Sequence, residues 1–471
     1  MSKLNPQIKS KSQFETDEYL AGGSGAKAAH ESNLNALKRV TMANMLWEKN
    51  FYVDGNSVTD RISELIPLCN GIDVANVAIS ARLDHKLRHA PLFIASEMCK
   101  YENTKPYVAE VLKTIITRAD MLTDFLAIYW KNGKCPLANC AKNGLREAFH
   151  NFNEYKFAKY DRNSAIKIRD VMFLVHPKAR NKEEEILFKK IADRTLKVPD
   201  TWEVALSAGK DKKDTFERLI KENKLGGLAM LKNLRNMSES EVSNKYIEIG
   251  LENLNESMIM PIDYLKAYKY NPQYSRWIEN SMVNSYKNLP KIPGNTLLIL
   301  DVSGSMKCLI SNKSDFSRLD AAIAMAILAI NQCENCKIVL TAGSDARCIH
   351  SSKVLNNPSI GFNLMNQVNE NYNVLGGGGI FTRQCLEWCK NEFTGKQIDR
   401  IMVFSDSQDC DHYNRIPEPF GKYNYIIDIS SERYGINYKG SNWTAEISGF
   451  SDHFLQFIAS YEGIENKFAE N

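Results

Sequence analysis

No apolar run in this 471-residue chain approaches the roughly 20 residues that a membrane-spanning helix needs. Met1 to Gln13 are polar and lysine-bearing with no apolar stretch behind them, so a secretory signal is not expected. Without export the eleven cysteines are expected to be reduced thiols, and their odd number and irregular spacing agree. The run Gly376-Gly-Gly-Gly379 lacks the Gly-Lys-Ser/Thr ending of a phosphate loop, which leaves nucleotide hydrolysis unsupported. A nucleophile elbow around Ser303 would need glycines two places before and after it, and Asp301 and Ser305 stand there instead. His85 and His89 have the spacing of a helical metal pair, but Lys86 takes the place of the zinc-protease glutamate and Arg82 and Arg88 surround the pair with cations. That stretch reads better as a basic helix. Cys333-x-x-Cys336 has no partner pair, and Cys385 and Cys389, one helical turn apart, mark a packed face. Asp409-Cys-Asp-His412 reads as a solvated loop near Asp406. No motif positions a general base, so the expectation is a protein that is not an enzyme.

What is present is globular in kind: 44% hydrophobic and 25% charged residues, in a chain long enough for two or three domains. The Pro/Gly-bearing stretch Lys287 to Gly294 divides it. Residues 1–290 hold 44 Lys+Arg against 36 Asp+Glu, whereas residues 291–471 hold 16 against 20. The basic half suits a polyanion partner. Ala21-Gly-Gly-Ser-Gly25 makes residues 1–34 a flexible lead-in.

Residues 35–290 carry mostly helical apolar spacing. Ile62, Leu65, Ile66 and Cys69 form one stripe; Val108, Val111, Leu112, Ile115 and Ile116 form another. Many short amphipathic helices joined by short turns must stack, which predicts a helical-pair solenoid, with a compact bundle as the alternative. After Gly294 the pattern changes. Thr296–Leu300, Lys337–Thr341, Arg400–Ser405 and Tyr423–Ile429 are apolar strand candidates, and Arg318–Cys333 is a helix. Strands alternating with helices predict a parallel sheet covered on both faces, with ligands at the carboxyl ends of its strands.

Asp301-Val-Ser-Gly-Ser305 follows the first of those strands. Alternate residues of an extended segment project to one side, so one carboxylate and two hydroxyls can converge on a hard cation such as Mg²⁺. Gly304 allows close backbone approach. Asp406, after a second strand, and Thr382, after the glycine run, could complete the set. This constellation resembles a von Willebrand factor A domain with its metal-ion-dependent adhesion site. The resemblance implies Mg²⁺ at Asp301, Ser303, Ser305, Thr382 and Asp406, with one position open to an acidic group of a partner. It also places Ile380 where the family's coordinating threonine sits, which implies weakened binding.

The helical half carries a second resemblance. Gly226-Gly-Leu-Ala-Met-Leu-Lys-Asn-Leu-Arg-Asn-Met237 is similar to a signature of the TROVE domain of Ro autoantigen-type RNA-binding proteins, with Thr201 to Ser207 fitting the segment before it. Asp170-Val-Met-Phe-Leu-Val-His-Pro-Lys178 resembles that family's helix ending in His-x-Lys. TROVE followed by a von Willebrand A domain is the Ro order. The resemblance implies a multidomain protein: a ring of HEAT-like helical repeats over 35–290, then an α/β, Rossmann-like A domain over 291–471. It implies RNA contacts at Lys159, Arg162 and His176, to which Lys178 and Arg180 are added on charge. Implied partners are small noncoding (Y-like) RNA, single-stranded 3′ ends of misfolded or structured RNA, and an exoribonuclease, in RNA quality control, processing or stress response. A cytoplasmic monomer without membrane contact is expected. The competing reading is a metal-dependent protein-interaction adaptor that works through the A domain.

Overall fold

The computed structural model describes residues 32–42, 55–161, 165–254, 259–310, 315–375, 377–411, 418–430 and 442–464. The chain forms two compact units: residues 62–255, and residues 1–61 together with 256–471.

The first unit is helical throughout its described residues. Its helices are short because prolines and glycines interrupt them. Pro67 turns the chain out of one helix, and Pro106 starts a single 3-10 turn before the helix Val108–Ile115. A helix of that length is not stable alone in water and must bury its stripe. Ile62, Leu65, Ile66 and Cys69 are buried, as are Val108, Val111, Leu112, Ile115 and Ile116, so both expected stripes face the core. The packing follows a repeat. Gly71–Leu83 packs on His89–Met98 and on Val108–Ile115; His89–Met98 packs on Asp120–Tyr129; Val108–Ile115 packs on Asn139–Phe149. Each helix thus meets its neighbour or the helix two places on, as stacked helical pairs require.

The second unit is a six-stranded sheet: β1 (Ile292–Asp301), β2 (Cys333–Ser344), β3 (Ile349–Val354), β4 (Arg400–Ser405), β5 (Tyr423–Asp428) and β6 (Ala445–Ser448), in the spatial order β3-β2-β1-β4-β5-β6. All pairings are parallel except β2 with β3. Leu297 and Ile299 of β1 pack with Ile401 and Val403 of β4 against Cys385, Leu386, Cys389 and Phe393 of the helix Thr382–Glu392. Leu298 and Leu300 alternate with them and project to the opposite face. The helix Arg318–Gln332 packs on β1 and β2 with Ala321 through Ala329 buried. This is the expected Rossmann-like layering.

The units divide elsewhere than at Lys291. The helix Pro261–Tyr270 packs on Arg318–Gln332, and Tyr268 stacks on Phe362 at 4.7 Å. The helix Ser275–Ser285 belongs with the sheet too: Glu279 Oε2 accepts from the Phe362 amide at 2.9 Å. The helix Asn33–Met42, which begins inside the expected lead-in, packs on β6, with Arg39 Nε 3.7 Å from Asp428 Oδ2. Residues 1–31 of that lead-in lie outside the described residues.

The sheet unit is fastened at its far end by a buried charge network. Arg400, at the start of β4, pairs with Glu462 and donates to Pro293 O (3.0 Å) and Thr296 Oγ1 (3.1 Å); Tyr425 donates to the same glutamate at 3.0 Å. Removing one member strands a buried charge. We therefore expect Glu462→Ala to cost about 3–5 kcal/mol in denaturant unfolding of this unit, and Arg400→Met with Glu462→Leu to cost far less.

Candidate functional site

In an open parallel sheet, ligands bind outside the carboxyl ends of the strands, where the strand order reverses. Here that point lies between β1 and β4. β1 ends in Asp301, whose carboxylate is wholly buried. Its Oδ1 accepts from the Ser303 amide at 2.7 Å and its Oδ2 from the Ser405 hydroxyl at 2.7 Å. Ser303 and Ser305 hydroxyl oxygens are 3.2 Å apart. Three of the expected residues thus come together, although of the two serines only Ser303 is extended: Ser305 lies in the single 3-10 turn Gly304–Lys307, which folds its hydroxyl back beside that of Ser303. Ser405, which closes the other side of Asp301, carried no signal in the sequence beyond its place at a strand end.

Asp406 follows β4 and is buried as well. Its Oδ2 accepts from Arg318 Nη1 at 3.1 Å, a pair shielded from water on both sides. Its Oδ1 has no hydrogen-bond partner among the described residues. Burial first, and the Asp406 carboxylate second, push the Asp301 acid up to about 7. Thr382 does not hydrogen-bond to Asp301. It opens the helix Thr382–Glu392, and its amide donates to Asp409 Oδ1 at 3.1 Å. Asp409 also accepts from the Asp411 amide at 3.2 Å, and Asp411 from the Gln384 amide at 3.2 Å. These two aspartates therefore receive orphan amides of a helix start. The expectation of a solvated loop fails for Asp409 and Asp411, which are buried because they cap this helix; His412 lies outside the described residues. Burial, then Asp411, raises the Asp409 acid to about 8.

The glycines close the site. Gly304 donates to Gly378 O at 2.9 Å and Gly378 to Gly343 O at 3.1 Å. A Cβ on Gly378 would lie 2.6 Å from Gly343 O, so only glycine fits there. Ile380 is fully buried, with its carbonyl accepting from the Cys410 amide at 2.8 Å. It presents no oxygen where a threonine would. Gly376 lies outside the described residues. No group of three or more His, Cys, Asp or Glu side chains among the described residues is arranged to hold a metal. The donors at the β1 end are instead carboxylate and hydroxyl oxygens, the set a hard cation prefers.

The basic candidates stand in the helical unit. Lys159 is half-buried on the helix Glu154–Tyr160, its Nζ 5.7 Å from the Tyr160 ring centroid; Arg118 faces that ring at 4.7 Å. His176 ends the helix Ile168–Val175 in the left-handed region (φ 51°, ψ 64°), with its amide donating to Met172 O at 2.9 Å and Arg146 donating to Val175 O. Pro177 follows and bars a further helical turn. His176, Lys178 and Arg180 are exposed in the turn before the helix Lys182–Asp193. Arg180 already has a counter-ion, Glu147, at 2.7 Å. The turn therefore groups His176 with Lys178, while Lys159 stands on another helix. Arg162 lies outside the described residues.

The basic-helix reading of residues 82–89 is corrected. Arg82 is buried and donates to Thr117 Oγ1 (2.9 Å) and Leu87 O (3.1 Å), which fastens a turn from within. Arg88 is paired with Asp120 and Asp124. In the signature helix Gly227–Glu239, Met230, Leu231, Leu234 and Met237 are buried, and Arg235 is exposed and paired with Glu239 at 2.8 Å.

Residues 193–270 match the family model of the TROVE domain. Among solved structures, the chain is similar to the crystal structure of the Deinococcus radiodurans Ro (RSR) protein. The TM-score is 0.57 at 15% identity, over 92% of this chain and 100% of that one. No curated protein sequence matches it. The chain thus carries a TROVE segment at residues 193–270 and shares the fold of that Ro protein.

Proposed function

We propose that this protein binds RNA without catalysing a reaction on it. Its ligands are small noncoding, Y-like RNA and the single-stranded 3′ ends of misfolded or structured RNA, in quality control, processing or stress response. The TROVE segment at residues 193–270 carries the reading. Exposed cations beside turns support it, because phosphates attract them and release counterions on binding. Lys159, His176 and Lys178 are the contacts, and Arg180 contributes less because Glu147 opposes it. We further propose a cytoplasmic monomer that has an exoribonuclease among its partners. No helix among the described residues is long and apolar enough to cross a membrane.

The α/β unit adds a cation-assisted surface, as a von Willebrand A domain would. The unpartnered Asp406 Oδ1 and the adjacent serine hydroxyls fit Mg²⁺. Asp301, Ser303 and Ser305 would hold it, with Asp406 behind them and Thr382, whose buried hydroxyl is likewise unpartnered among the described residues, contributing a further oxygen. Bound Mg²⁺ would present a Lewis-acidic position to an acidic partner group. This site also accommodates the adaptor reading, in which RNA plays no part.

RNA copurifying in stoichiometric amount supports RNA binding, and its absence beside a Mg²⁺-dependent protein partner supports the adaptor. Lys159→Ala with His176→Ala should weaken binding of a tailed hairpin about tenfold or more and reduce the salt slope by about one per lost phosphate contact in filter titrations. The Asp301 acid keeps its proton in the folded state from its ordinary 3.8 up to about 7, so it makes stability fall as pH rises through that window. Asp301→Asn should therefore raise the melting temperature at pH 8 without divalent cation and flatten the slope between about pH 4 and pH 7. Millimolar Mg²⁺ should raise the melting temperature of the unsubstituted protein at pH 8 and leave Asp301→Asn unmoved.

A further inference from the structure

A groove of about 800 Å³ opens in the helical unit, within the roughly 300–1,000 Å³ range of small-ligand sites. Three short segments meet there. The helix Glu154–Tyr160 supplies Tyr155 and Lys159; the loop before Gly227–Glu239 supplies Lys224 and Gly226; Asn253 follows the helix Asn244–Glu252. Asp200 completes the lining.

Each part suits one portion of a nucleotide. Tyr155 is 44% exposed and its ring stacks on no aromatic ring among the described residues, which offers a face to a base. Asn253 donates to Ile249 O at 2.9 Å, which leaves its carbonyl oxygen to accept from a base edge. Lys159 makes no ion pair among the described residues. Asp200 does not repel an anion as a bare carboxylate would, because Arg218 grips both its oxygens (2.7 and 2.9 Å) and Lys224 reaches it at 3.2 Å. Gly226 is the N-cap of a 13-residue helix with no side-chain cap, and a Cβ built on it would meet nothing within 4 Å. The amides of Gly227, Leu228 and Ala229 are thus without intrahelical acceptors beside open space.

We propose that this groove holds one unpaired nucleotide of an RNA tail, its base on Tyr155 and its phosphate between Lys159 and the start of the helix Gly227–Glu239. The assignment rests on the RNA-binding reading and specifies where an unpaired end is sensed. A free nucleoside monophosphate shares the chemistry.

Two variants test it in the full chain. Tyr155→Ala removes the stacking face. Gly226→Asp puts a preferred capping residue on the helix, so the fold is retained or strengthened, while a carboxylate enters the groove. The probes are an RNA hairpin with a single-stranded 3′ tail and the same hairpin blunt-ended. The unsubstituted protein should bind the tailed hairpin at least tenfold more tightly. Both variants should erase that difference and leave blunt-hairpin affinity in place, with melting temperatures unchanged or higher for Gly226→Asp. Retention of the tail preference in both variants overturns the groove and spares RNA binding. Failure of the unsubstituted protein to bind either hairpin overturns RNA binding, and the groove with it. Displacement of the tail by micromolar nucleoside monophosphate reassigns the groove to the free ligand.

Discussion

The constraint that organises the α/β unit is the burial of carboxylates where its strands end. Asp301, Asp406, Asp409 and Asp428 are each at most 2% exposed. A buried negative charge is tolerated only when it is protonated, paired or surrounded by donors. The chain uses all three means. Burial favours the proton on Asp301 and Asp409, Arg318 sits on Asp406, Arg39 approaches Asp428, and loop amides donate to Asp301 and Asp409. Positions of the glycine loop and of the first turns of two helices follow from that need. A cation brought to this end of the sheet would meet oxygens already held in place.

The helical unit obeys a different rule. Its charges lie mostly at the surface, often in local pairs such as Arg218 with Asp200 and Glu222. Such exposed pairs contribute little to stability. What holds the unit is the sum of narrow apolar stripes, each too small to fold alone. Loops between stacked pairs are then free to differ, and the groove around Tyr155 is built from such loops together with the helix Glu154–Tyr160.

Periodicity made the large features readable. The apolar run at Thr296–Leu300 announced β1, and the stripes at residues 62–69 and 108–116 announced stacked helices. Asp301 and Ser303 were legible from alternation in an extended segment, whereas Ser305 is brought beside them by the 3-10 turn Gly304–Lys307. Other features were not. β3 and β6 lie at the sheet edges, where Ile349-His-Ser-Ser-Lys-Val354 and Ala445-Glu-Ile-Ser448 need no continuous apolar run. An amphipathic stripe tells that a helix is buried but not by what, so the helices Pro261–Tyr270 and Ser275–Ser285 gave no sign of packing with the sheet unit. Arg318 did leave a clue. A cation in the first turn of a helix opposes the macrodipole, and such a residue implies a carboxylate nearby. For Thr382 the glycines before it pointed to its hydroxyl, while its place at a helix start, which ties its amide to Asp409, gave no separate signal.

The helix Asn33–Met42 has a bearing on how the molecule is made. It belongs to the same compact unit as residues 256–471, with the other unit intervening along the chain. During synthesis, which proceeds from the amino end, residues 62–255 emerge complete and can collapse through local contacts. The early helix must wait until its docking strand β6, about 400 residues further along the chain, has been made. Translation order thus places completion of the sheet unit after that of residues 62–255, and a chain truncated before residue 445 would leave that helix without its strand.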